Sequence, residues 1–110
     1  MRTAENGIEQ LLAVMPLMAA EIDARGRHVL ANAAYAALLG AEPAALSGRS
    51  LEEAWGGSYA PLRTAAEAAL DGSPSYFAGD LATHDGPRHV LATFAPRRSD
   101  SGAAAGFYLF

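Results

Sequence analysis

The chain contains neither cysteine nor lysine. The first absence excludes disulfides, cysteine-ligated zinc, thiolate catalysis and flavin–cysteinyl photochemistry. The second removes any Gly-x-x-x-x-Gly-Lys phosphate loop. Charge is sparse as well: Asp, Glu, Lys and Arg make up 18% of residues, with a formal net charge of -4. That balance, with arginine as the only strong base, argues against nucleic acid or an anionic membrane surface as a partner. The pairs Arg25/Arg27 and Arg97/Arg98 both fall in turn-like segments. Long hydrophobic runs are also missing. LLAVMPLMAA, residues 11–20, is too short to span a bilayer and is broken by Pro16. It lacks the basic flank of a signal peptide, because Glu5 and Glu9 accompany Arg2. No membrane insertion is expected, nothing requires an oxidising compartment, and a cytoplasmic location fits.

What is present is a one-domain length of 110 residues that is 51% hydrophobic, much of it alanine. A small-residue core buries little area per side chain, so the few large residues should carry the packing. Residues 1–16 read as a flanking helix. Asn6 and Glu9 resemble a capping box, and Ile8, Leu11, Leu12 and Met15 make one apolar face suited to pairing with a second copy. Pro16 ends it. Residues 17–32 read as a β-hairpin turning at DARG, with Met18, Ala20 and Ile22 on one side and Glu21 and Asp23 on the other.

Asn32 can cap the next helix, whose apolar face is Tyr35, Leu38 and Leu39 and whose stop is Gly40. Pro43 opens a short turn of helix, and Ser50 with Glu53 makes a second capping box ahead of Trp55. A longer helix is expected from near Ser58, with Tyr59, Leu62, Ala66 and Leu70 on one face until Asp71-Gly72. SYFAGDLAT and RHVLATFAP flank an HDGP turn, Pro96 closes the second of these strands, and AAAGFYLF is a last strand. A strand running to Phe110 with no polar tail suggests a piece cut from a longer protein. Strands paired as hairpins around a helical cluster make an α+β domain.

The order of these pieces resembles a PAS domain of the kind found in bacterial sensor kinases and related signalling proteins. The resemblance rests on DARG turning into HVLAN, then AAYAALLG, LSGRS, ALDGSP, HDGPRHVLATFAP and DSGAAAGF, and it covers residues 8–110. It implies a five-stranded antiparallel sheet of order 2-1-5-4-3, helices packed on one face around a small cavity, and an N-terminal helix outside the sheet. Residues 17–110 would be the sensor domain and residues 1–16 the dimerisation helix. It further implies a non-enzymatic signalling module, a homodimer, coupled to a flanking output domain such as the kinase of a two-component system.

Candidate ligand contacts are then His28, Leu30, Tyr35, Leu39 and Trp55 from the first half. Leu62, Ala66, Val90, Phe94 and Phe107 complete the set. His28 shares strand parity with Leu30 and Asn32, which points it to the cavity. Val90 and Phe94 depend on register, since a slip of one residue would substitute Leu91 and Thr93. The cofactor is not specified. The resemblance implies that haem held by a histidine on the long helix would need that residue between Ser58 and Leu70, where there is none, leaving only a histidine on another element. No metal spacing links His28, His84 and His89. Glu52 and Glu53 point about 100° apart on a helix and make no acid–base pair. The chief alternative is a ligand-free docking module whose alanine-rich interior has collapsed. A small cone-shaped isomerase would need a longer curved sheet.

Overall fold

A computed structural model describes residues 17–110. The helix expected over residues 1–16, with Ile8, Leu11, Leu12 and Met15, lies outside the described residues. The first turn forms because the Asp23 carboxylate accepts the backbone N–H groups of Arg25 (2.8 Å) and Arg27 (3.0 Å). This Asx turn folds β1 (Ala20–Asp23) back on β2 (His28–Ala31). Their pairing shifts between Glu21, which faces Leu30, and Ile22, which faces His28. Val29 is the extra residue of this bulge.

Helices α1 (Ala33–Leu38), α2 (Pro43–Leu46) and α3 (Leu51–Trp55) follow. The capping box is complete: Glu53 N–H donates to Ser50 Oγ (3.0 Å) and Ser50 N–H to Glu53 Oε1 (2.9 Å). The long helix is not α-helical from Ser58. Gly56–Leu62 is a 3-10 stretch, and α4 spans Arg63–Leu70. Gly56, Gly57 and Pro61 are poor α-helix interiors, which accounts for the tighter winding. Ala65, Ala66 and Ala69 are buried where α4 crosses β3, β4 and β5.

β3 (Ser75–Thr83), β4 (Gly86–Arg98) and β5 (Ala104–Leu109) complete a five-stranded sheet of order β2-β1-β5-β4-β3. All four pairings are antiparallel, so the expected PAS-type topology is the one observed. Pro96, expected to close its strand, lies inside β4 opposite Phe107. Thr93 exchanges both backbone bonds with Phe110 (2.9 Å each), so Phe94 and Pro96 turn their nitrogens toward β3. β3 begins at Ser75, opposite Phe94. The missing N–H of Pro96 therefore falls beyond its end, where no ladder bond is lost.

One face of the sheet packs on the helices through Ile22, Phe94 and Phe107, and the two phenyl rings lie 5.5 Å apart. The other face is less bare than an alternating pattern implies. Glu21, expected on the solvent side, is buried beneath the Arg97 guanidinium at 3.7 Å, with Arg97 also lying over the Tyr108 ring. No described helix is long and apolar enough to cross a membrane.

Candidate functional site: a cavity between sheet and helices

β4 is 13 residues long and β5 only 6. From Gly86 to Ala92, β4 pairs with β3 alone among the described residues. Leu17 and Met18, which lead into β1, share a cavity with residues of this stretch. The cavity, of about 380 Å³, runs in between sheet and helices. Leu17, Leu91, Thr93 and Phe110, exposed or on the sheet's outer side, form the mouth, with the half-buried Met18 beside them. Tyr35, Leu38, Trp55, Leu62, Leu81, Val90, Ala92 and Leu109 line the interior.

Four of the ten residues expected from the sequence line this cavity: Tyr35, Trp55, Leu62 and Val90. The other six do not. Phe94, Phe107 and Ala66 are core residues, at 1%, 0% and 0% exposure, filling the space between α4 and the sheet. Leu39 packs on the core's edge, half-buried. Leu30 is turned to the outer side by the bulge, which places it opposite Glu21 rather than in line with His28. His28 is buried but stands one residue behind the cavity wall. Leu81 and Leu109 were legible as inward-facing strand positions. The mouth residues were not, since they come from separate segments that only the fold brings together.

Two residues of the cavity wall, Tyr35 and Trp55, are linked to His28 behind it. Trp55 Nε1–H donates to Tyr35 Oη at 2.9 Å. Tyr35 Oη lies 2.8 Å from His28 Nε2, and His28 Nδ1 lies 2.8 Å from the Arg49 carbonyl oxygen. A carbonyl only accepts, so Nδ1 carries the ring proton and Nε2 of the neutral ring must accept. Tyr35 therefore donates to His28. Burial holds the His28 pKa below its ordinary 6.5, against the opposing effect of the Arg49 bond. Burial likewise pushes the Tyr35 phenol up, only partly offset by the Trp55 bond. Both groups are thus neutral near pH 7.

Asn32 holds the mouth. Its Oδ1 accepts the N–H of Tyr35 (2.9 Å), capping α1, and that of Ala19 (3.1 Å). Its Nδ2 donates to the Leu17 carbonyl. The remaining histidines stand apart. His89 meets Asp80 at 3.0 Å on the exposed face, and His84 sits at the β3–β4 turn. No group of three or more possible metal ligands occurs among the described residues.

An α+β domain with this strand order, helices on one face and a cavity between the layers is a PAS-type architecture. The PAS fold family model matches residues 12–110, and the chain belongs to that family. Solved structures agree. The PAS domain of BvgS from Bordetella pertussis is 22% identical, with a TM-score of 0.72 over 97% of this chain and 82% of that one. A sensory box sensor histidine kinase from Vibrio cholerae is 15% identical, with a TM-score of 0.71 over 96% and 87%. The VqmA dimer of Vibrio cholerae, described among LuxR-type receptors, is 22% identical, with a TM-score of 0.79. This chain is covered to 99% and spans about half, 51%, of VqmA. Comparison with curated proteins gave no match.

Proposed function

We propose that this chain is a non-enzymatic sensory module that binds a small organic molecule between its helices and sheet and passes the change to flanking segments. The observation that carries this reading is the apolar cavity of about 380 Å³, the size of a small-molecule site. Signalling follows from population shift. An occupant favours the conformation of Tyr35, Trp55 and the mouth segment that fits it best. Similarity to domains of sensor proteins supports this role, and an output partner such as a kinase in the cytoplasm is part of the proposal. Nucleic-acid contact by this domain is not, given the net charge of -4 and the absence of lysine.

Native mass spectrometry of the purified protein tests the reading. A retained organic ligand, lost in Ala92→Leu, which adds bulk to the cavity wall, is the expected result. Bare protein mass, with no thermal shift from small aromatic compounds, would favour a docking module instead. A specific observation gives that second reading content: Tyr76, Leu91 and Phe110 are exposed on the outer side of the sheet at 68%, 73% and 38%. The proposed homodimer through Ile8, Leu11, Leu12 and Met15 is checked by light scattering on a chain lacking residues 1–15. An unchanged mass would rule it out.

A further inference from the structure

We propose that the cavity selects an uncharged, mainly apolar ring compound that donates one N–H or O–H hydrogen bond to Tyr35 Oη. This rests on the reading that the cavity takes a small molecule, and it names that molecule's chemistry.

Charge is excluded by what surrounds the space. Among the described residues, no Asp, Glu, Arg or His side chain lines the cavity. An ion entering it would give up hydration and gain no counter-charge, which costs far more than a hydrogen bond returns. A ring is favoured because Tyr35 and Trp55 meet edge to face, 72° apart with centroids 6.1 Å apart, and offer aromatic surface within an aliphatic lining.

The direction of the hydrogen bond follows from counting protons. A phenol has one proton to give and two positions that accept. The proton of Tyr35 is committed to His28 Nε2, because His28 Nδ1–H is committed to the Arg49 carbonyl. The opposite tautomer would set a ring lone pair against that carbonyl at 2.8 Å. One accepting position of Tyr35 Oη takes Trp55 Nε1–H. The other has no described partner. A ligand that donates completes the set, whereas one that only accepts meets a lone pair. His28 is thus a positioning residue: it never touches the ligand, but it decides that Tyr35 accepts.

Calorimetric titration with indole, indene and indole-3-acetate at pH 8 tests this. Indole and indene share a shape, and only indole carries an N–H. Indole is the more polar of the two, so apolar transfer alone favours indene. We expect indole to bind roughly fivefold tighter than indene, the effect of one net hydrogen bond. Indole-3-acetate should show no binding at the same concentration, and Tyr35→Phe should erase the preference for indole. The wild-type comparison stands by itself if that variant does not fold. Equal or tighter binding of indene overturns the donor assignment and leaves the small-molecule reading intact. Binding of indole-3-acetate as tight as that of indole overturns the exclusion of charge. If none of the three binds and native mass spectrometry shows bare protein, the small-molecule reading itself falls.

Discussion

Asn32 offers the most discriminating test of how this fold holds its cavity. A helix cap alone predicts that Asn32→Ala costs about 1 kcal/mol. The structure gives the side chain more to do, because it is buried at 4% exposure and makes three hydrogen bonds. Alanine would strip Ala19 N–H and the Leu17 carbonyl of these partners in addition to the cap. At about 1 kcal/mol for each further bond the loss reaches about 3 kcal/mol. In a domain of this size that lowers Tm by on the order of 15 °C. Urea denaturation monitored by Trp55 fluorescence gives the free energy directly. Asn32→Ser is the necessary control. Its shorter side chain keeps the bond to Tyr35 N–H but does not span to Leu17, so it should recover about 1 kcal/mol of the loss and no more. Asn32→Asp keeps the acceptors and replaces the donor facing Leu17 with a buried carboxylate. An oxygen of that carboxylate meets the Leu17 carbonyl where Asn32 donates, so this variant should be less stable than wild type at pH 7. If Asn32→Ala costs only about 1 kcal/mol, or if serine restores full stability, Asn32 is a cap and nothing else.

The other predictions concern the neighbouring buried groups. Because burial lowers the His28 pKa, the unfolded chain binds more protons than the folded one below the ordinary value of 6.5. Stability should therefore be level above that pH and fall as pH drops below it, and His28→Gln should flatten the fall in a denaturation series at several pH values. Tyr35→Phe leaves the Trp55 indole N–H and His28 Nε2 without their partner, and should cost about 2 kcal/mol by urea titration. A cost near zero would mean the three side chains act independently. Gly106 sits at φ 113° with its α-carbon against the Ile22 carbonyl, so a β-carbon there would collide with backbone. Gly106→Ala should lose more than about 3 kcal/mol, seen as a collapse in Tm or in soluble yield.

What could be read from the sequence was local. The Asp23 turn, the Asn32 cap, the Ser50–Glu53 box and the Gly40 stop each rest on contacts within four residues. Strand order came from resemblance, not from periodicity. The failures share a cause too. A single bulged residue, Val29, turned Leu30 away from the cavity although its alternation with His28 looked sound. Pro96 looked like a terminator because nothing local shows that its nitrogen faces past the end of β3. The cavity mouth joins Leu17, ahead of β1, to Leu91 and Thr93 on β4, a meeting of distant segments that no window of sequence contains.

Alanine content bears on function in a way that composition alone leaves open. Small side chains can let a core collapse, and here they do so at one end. Ala65, Ala66 and Ala69 let α4 settle on the sheet over Phe94 and Phe107. At the other end Trp55, Leu62, Leu81 and Leu38 stand around the remaining space. Helix α1 spans the two regimes, with Ala36 fully buried and Tyr35 at the cavity. It has only 6 residues, too few to persist without its tertiary bonds. Those bonds run in two directions. Asn32 ties its start to Leu17 and Ala19, where the chain enters the sheet, and Tyr35 ties its middle to Trp55 and, through His28, to the Arg49 carbonyl. The inner face of α1, Tyr35, Ala36 and Leu38, is buried as well, so these bonds fix an element already seated in the core. α1 thus joins the cavity lining at Tyr35 to the chain at residue 17 through Asn32.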